Sequence, residues 1–225
     1  MNADDFGLSA GVNRGLVEAH EKGIVTSASL MVYMPAAAQA AALARNRPLL
    51  SLGLHTDIGE WRYQRGNWVP VYERVPQGDP LALKAVVDEQ VELFRDLAGA
   101  DPTHLDSHQH VHTREPLKSL MCQLAEQLGI PLRHFNRHVS YCGDFYGQDG
   151  EGRPLSDRLT PSFLTGIMNG LNEGVTELGC HPAAEVDFES PYGIERLREL
   201  EALCSPTVHE AMKQAGVMLA SFRSA

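Results

Sequence analysis

Between residues 104 and 112 the chain reads His-Leu-Asp-Ser-His-Gln-His-Val-His, four imidazoles and a carboxylate in nine positions. On an extended backbone alternate residues share a face, so His104, Asp106, His108, His110 and His112 are predicted to point the same way. Five polar groups on one face cost free energy in a core unless each is hydrogen-bonded, and binding of a divalent cation explains them better. Three other segments carry chemistry of the same kind. Asn2-Ala3-Asp4-Asp5-Phe6-Gly7 holds two adjacent carboxylates, which repel each other and raise each other's pKa unless a cation is near. Gly53-Leu54-His55 and Gly179-Cys180-His181-Pro182 each end an apolar run with a histidine. Taken singly, the acid pair reads as a solvated turn and each lone histidine as a hydrogen-bonded rim residue. Two imidazoles and one carboxylate, once gathered, suit a divalent ion with open positions, and such an ion acidifies water and polarises a carbonyl. A second carboxylate can then take a proton and a histidine can protonate a leaving amine. That inventory describes hydrolysis of an amide or ester.

The elements that would gather these groups alternate in type. Residues 27–33, 50–55, 103–107, 131–135, 175–181 and 217–222 read as strands. Helical patterns lie between them. Residues 116–128 repeat leucine and methionine at helical spacing, from a first-turn proline to Gly129, and 80–97 follow Asp79 as a cap. Residues 35–45 form an alanine-rich helix able to pack closely, and 8–22 a helix capped by Ser9. Such alternation implies parallel strands with crossover helices. With a very short first strand before the acid pair, there are about seven parallel strands with outer helices. The expected fold is α/β and β/α-barrel-like, and residues 1–225 read as one domain. In that fold the acid pair, His55, the histidine cluster and His181 all fall at carboxyl ends of strands, which line one mouth. Residues 56–78 and 138–159 are left as long irregular loops at the same end. The first carries Trp61, Tyr63, Trp68 and Tyr72, which would serve equally as sugar-stacking groups or as contacts of a homodimer.

Composition narrows the class. The net charge of −10 opposes a phosphate backbone, so nucleic acid is not the expected partner. The most apolar stretch, 27–44, is interrupted by Pro35 and Gln39 and is a poor membrane span. Asp4 and Asp5 stand where an export signal would carry basic residues, and the four scattered cysteines read as reduced thiols, so a cytoplasmic location is expected. His20, His134, His138 and His209 receive no role.

The segments NADDFG at 2–7, GIVTSASLMV at 23–32, GLH at 53–55, THLDSHQHVH at 103–112 and GCHP at 179–182 together resemble the YdjC-like (ChbG-like) carbohydrate deacetylases. The resemblance implies a β/α-barrel-like hydrolase that removes acetyl groups from N-acetylated amino sugars, using one divalent metal. It makes Asp5, His55 and His108 the metal ligands, Asp4 the base and His181 the acid, with Asp106, His110 and His112 as supporting or substrate-binding groups. Zinc, cobalt or nickel suits two imidazoles, and magnesium is also used by such proteins. The chain departs from the family in its short first strand, in Gln109 where another histidine is common, and in Ala183 after His-Pro. The run from Thr26 into the alanine-rich helix is similar to the branch associated with hopanoid biosynthesis. Two rival readings are a metal-dependent phosphoesterase and a metal- or sugar-binding module without catalysis.

Overall fold

The computed structural model describes residues 1–223. Its centre is a curled six-stranded sheet in the order β6-β3-β2-β1-β8-β7, formed by β1 (Asn2–Phe6), β2 (Ser27–Leu30), β3 (Ser51–Thr56), β6 (Leu105–Ser107), β7 (Val139–Cys142) and β8 (Val175–Cys180). Every pairing in it is parallel. Around it run α1 (Ala10–Glu21), α2 (Ala37–Arg45), α3 (Pro80–Ala98), α4 (Leu117–Leu128), α5 (Pro161–Asn169), α6 (Ile194–Leu203) and α7 (Pro206–Ala215). The remaining strands, β4 (Gly59–Gln64) and β5 (Asn67–Glu73), pair as an antiparallel hairpin outside this sheet.

The local signals act as expected. Ser9 Oγ accepts from Val12 N–H at 3.1 Å to start α1. Asp79 Oδ1 takes the N–H groups of Leu81 and Ala82 at the start of α3, and Gly129 ends α4 in the left-handed conformation. Ala37, Ala40, Ala41 and Ala44 of α2 are buried, so the small side chains do let this helix sit close to the sheet.

Several expectations need correction. The first strand does not stop before the acid pair but runs through it. Of the seven strands expected, the one at 131–135 shrinks to a single bridge between Leu105 and Leu132: Pro131 has no N–H to donate, and His134 takes φ 68°. Among the described residues no ladder joins Leu132 to β7, so the barrel stays open there, with the Arg133 guanidinium 4.9 Å from the centre of the Tyr141 ring. Residues 217–222 form no strand. They lie against the amino ends of the sheet, where Thr26 Oγ1 donates to the Ala220 carbonyl and Phe222 stacks on His104 at 4.0 Å. The two stretches read as loops hold the β4–β5 hairpin and strand β7.

Gly15 shows how closely α1 approaches the segment that follows β8. A Cβ there would lie 2.4 Å from backbone atoms of Ala183, two residues past His181. An exposed helical glycine gains about 1 kcal/mol of stability when changed to alanine. Here overpacking against a rigid backbone, about 1–3 kcal/mol, opposes that gain. Gly15→Ala is therefore expected to lower the urea midpoint rather than raise it.

Candidate active site

Successive strand residues ordinarily face opposite ways, yet Asp4 and Asp5 both reach the barrel mouth. The cause is a bulge. The register of β1 against β2 jumps between Ala3 and Phe6, and Asp5 takes φ 64°, the left-handed region that non-glycine residues rarely enter. Asp4 consequently points to Arg133 and His181, and Asp5 to His55, His108 and Arg196.

Asp5 Oδ1 lies 3.3 Å from His55 Nε2 and 3.2 Å from His108 Nδ1. Donor atoms bound at ordinary metal–ligand lengths around one ion stand roughly 3–3.5 Å apart, so this spacing fits a shared divalent cation. The far side of His55 is already committed: its Nδ1 is 2.7 Å from Asp106 Oδ1. With Nδ1–H donated to that carboxylate, Nε2 is left to serve a metal, the arrangement seen behind many metal-binding histidines. A second trio of possible ligands, Asp4, His55 and Asp106, lies close together beside it. It fits less well, because both carboxylates are occupied by the Arg133 guanidinium, which would repel a cation.

Arg133 is fully buried and binds three carboxylates. Its Nη atoms meet Asp4 at 2.7 and 2.8 Å, Nη2 meets Asp106 Oδ2 at 2.8 Å, and Nε meets Glu177 Oε1 at 2.7 Å. Asn2 Nδ2 donates to Asp4 Oδ1, and Ser29 Oγ donates to Asp106 Oδ2 at 2.6 Å. A second buried guanidinium, Arg196, holds Asp5 Oδ2 at 2.5 Å. Four buried carboxylates (Asp4, Asp5, Asp106 and Glu177) thus face two guanidinium cations, and one divalent ion would supply the two charges still needed.

The titration of these groups follows. Burial alone would raise Asp4, Asp5 and Asp106, but Arg133 beside Asp4 and Asp106, and Arg196 beside Asp5, hold all three below the usual range. Burial would lower His55 and is the largest single influence, but the Asp106, Asp4 and Asp5 carboxylates together outweigh it and lift the imidazole to about 10. Burial brings His181 down to about 4. It also brings His104 to about 4, His110 to about 3 and His112 to about 4, so none of these is a standing cation.

His181 lies across from Asp4, with Nε2 3.8 Å from Asp4 Oδ2. Its Nδ1 is buried without a hydrogen bond, 3.9 Å from Glu199 Oε1. Glu199 is fixed by Tyr192 Oη and by the His181 backbone N–H, and burial raises its carboxyl to about 8. Tyr146 stacks on Tyr192 and meets the His181 ring edge-on at 5.3 Å.

The histidine cluster does not share one face. Only Leu105–Ser107 is strand, and His108–Thr113 winds into a 3₁₀ turn in which Gln109 and His110 take φ 51° and 53°. His108 alone of the turn reaches Asp5. His110 goes instead to His134 Nε2 at 3.3 Å and Tyr141 Oη at 3.4 Å. His112 is held between Ser107 Oγ at 2.5 Å and the Arg133 carbonyl at 3.2 Å. His104 is packed under Gly53, where a Cβ would meet its ring at 2.5 Å, and hydrogen-bonds Ser29.

Arg133, Arg196, Glu177 and Glu199 went unnoticed in the sequence. Glu177 had a signal, since it alternates with Gly179 and His181 along one strand face. Arg196 and Glu199, one helical turn apart, look like an ordinary solvated pair, and nothing in their spacing marks them as buried.

A sequence model of the YdjC-like protein family matches residues 1–214. The chain belongs to the YdjC-like family. It is 34% identical over 244 residues to a carbohydrate deacetylase of Geobacillus stearothermophilus, covering 99% of this chain and 96% of that protein. It is 33% identical over 251 residues to a chitooligosaccharide deacetylase of Serratia marcescens, covering 99% and 97%. Among solved structures, a protein of Enterococcus faecalis V583, provisionally described as a cellobiose-phosphate cleavage protein, superposes with a TM-score of 0.78 at 28% identity, covering 99% of this chain and 96% of that one. A family 4 carbohydrate esterase from Streptomyces lividans shares the fold, with a TM-score of 0.57 at 13% identity over 96% of this chain and 87% of that one.

Two outcomes follow from this charge network. Arg133→Met would leave three buried carboxylates unpaired, and the loss expected is about 3–5 kcal/mol in equilibrium unfolding. Glu199 has a folded pKa raised from 4.5 to about 8, so it stabilises the fold at pH below 4.5 and that contribution fades as pH rises to about 8. Glu199→Gln should flatten this part of the stability–pH curve.

Proposed function

We propose that this protein is a metal-dependent hydrolase that removes the acetyl group from an N-acetylated amino sugar. The observation that carries this reading is the convergence of Asp5, His55 and His108 within 3.2–3.3 Å contacts, with Asp4 and His181 beside them. Relatives matched over 99% of the chain and named carbohydrate and chitooligosaccharide deacetylases support the substrate class.

Asp5, His55 and His108 would hold the ion, and zinc, cobalt or nickel suits this donor set better than magnesium. When bound, the ion supplies Lewis acidity toward the acetyl carbonyl and toward water. Asp4, kept ionised by its two contacts to Arg133, takes the proton from the attacking water. His181, neutral at rest and with Nε2 3.8 Å from Asp4 Oδ2, relays that proton from Asp4 to the sugar nitrogen as acetate departs. Glu199 and Tyr192 fix the His181 backbone and leave Nε2 facing the site. Asp106 sets the tautomer of His55. His110 faces His134 and Tyr141 beside the mouth, where a neutral imidazole can hydrogen-bond a hydroxyl, and His112 shapes the turn through Ser107.

Phosphoester cleavage fits less well. Two guanidinium groups reach the site, but both are bound by carboxylates and leave no seat for a phosphate. The loss of catalysis that a pure binding module requires is not what Asp4 and His181 suggest, since binding needs neither a base nor an acid.

Acetate release from N-acetylated oligosaccharides tests the reading. Chelation should abolish release and a divalent ion restore it, while Asp4→Asn and His108→Ala should each lower turnover by roughly 100–1,000-fold. Undiminished release from both variants would refute the assignment.

A further inference from the structure

We propose that the β4–β5 hairpin forms a carbohydrate-binding wall for the sugar residue next to the one deacetylated, and that Gln109 is the positioning residue that holds it there. The proposal rests on the deacetylase reading and specifies its substrate as an oligosaccharide of at least two residues.

Gln109 follows the candidate ligand His108 directly. Its amide makes a reciprocal pair of hydrogen bonds with the backbone of one hairpin residue: Nε2 donates to the Trp61 carbonyl at 2.7 Å, and Oε1 accepts from Trp61 N–H at 2.9 Å. A neighbouring strand would offer the same donor and acceptor. One exposed side chain thus docks the edge of the hairpin onto the turn that carries a metal ligand. Gln109 does so from a left-handed backbone at φ 51°, a conformation that costs a non-glycine residue free energy and that burial of its own side chain cannot explain.

The hairpin presents a suitable face. Direct cross-strand partners share a side, and the register pairs Trp61 with Pro70 and Tyr63 with Trp68. Four ring-bearing residues therefore occupy one face, with the Tyr63 and Trp68 rings in edge contact at 5.7 Å. Trp61 is half-buried against the core, which turns this face toward the body of the protein, while Trp68 remains 55% exposed. The double hydrogen bond from Gln109 to Trp61 sets this face beside the turn that carries His108. The C–H face of a pyranose stacks on indole and phenol rings, and a neutral sugar meets no repulsion from a chain of net charge −10.

The test compares wild type, Trp68→Ala, Gln109→Ala and Gln109→Glu on N-acetylglucosamine and on its β-1,4-linked trisaccharide, reading kcat and KM separately. Gln109→Glu can still accept from Trp61 N–H but cannot donate to its carbonyl, so it should fall between wild type and Gln109→Ala. For Trp68→Ala and Gln109→Ala the rise in KM should be about tenfold greater for the trisaccharide than for the monosaccharide, with kcat on the trisaccharide changed little. Binding of the trisaccharide to the Asp4→Asn protein, followed by tryptophan fluorescence, should weaken in parallel when Trp68→Ala or Gln109→Ala is added. Acetate release with equal effects on both sugars overturns the wall and leaves the deacetylase reading intact. So does a Trp68→Ala protein that changes only its sedimentation, since the hairpin would then be a contact between copies. Absence of release from any N-acetylated sugar by metal-loaded wild type overturns the deacetylase reading instead, and the fluorescence titration then decides the wall by itself: retained trisaccharide binding that depends on Trp68 and Gln109 supports it, and no binding removes it.

Discussion

The site depends on one buried cation. Arg133 lies inside the curled sheet, 1% exposed in its side chain, and ties carboxylates from β1, β6 and β8 to a single guanidinium. Without it, Asp4, Asp106 and Glu177 would repel one another in a medium that screens poorly, and each would take up a proton. A neutral Asp4 could not act as a base, and a neutral Asp106 could not fix the tautomer of His55. The same contacts span the open side of the barrel, where Leu132 and β7 fail to pair. Structure and chemistry therefore rest on the same group, whose removal cannot be read as a change in activity alone.

Strain is concentrated around this centre. Asp5, Gln109, His110 and His134 are four of the five non-glycine residues with positive φ among the described residues. Each does something a regular strand or helix cannot. Asp5 turns beside Asp4 to the same mouth, Gln109 reaches sideways to Trp61, and His110 and His134 meet each other while His108 keeps its place at Asp5. Such conformations persist only where surrounding contacts over-determine them. Here those contacts are ion pairs to Asp5 on one side and the double hydrogen bond to the hairpin on the other.

This distribution explains what could be read from residue order. Parallel strands, crossover helices and their caps were legible because hydrophobic period and capping chemistry are local. That Asp4, Asp5, His55, His108 and His181 come together was legible because their motifs sit at strand ends; the roles given to them are what the resemblance of five segments implies. The shared face assigned to all five members of the 104–112 cluster failed at Gln109, where the backbone turns left-handed, and no local propensity announces that. Arg133 was hidden inside a segment that reads as a strand. Its burial is decided by three carboxylates 27 to 129 positions away, and a single sequence carries no record of such distances. The hairpin was missed for a related reason: its aromatic strands carry no strong turn dipeptide beyond Arg65-Gly66, so their pairing is settled by cross-strand contacts.

The charge pattern also clarifies how a candidate metal trio and two arginines can coexist so closely. A guanidinium satisfies carboxylates through directed hydrogen bonds and keeps its charge at any relevant pH, but its donors leave no open position for a reacting group. A divalent ion has such positions and binds imidazole as well as carboxylate. The two kinds of cation are accordingly divided by task. Arg133 engages both oxygens of Asp4, and Arg196 takes the Asp5 oxygen turned away from the imidazoles. Asp5 Oδ1 alone is left facing His55 and His108. By occupying the competing carboxylate oxygens, the arginines would direct an ion to the trio of Asp5, His55 and His108, beside Asp4 and His181.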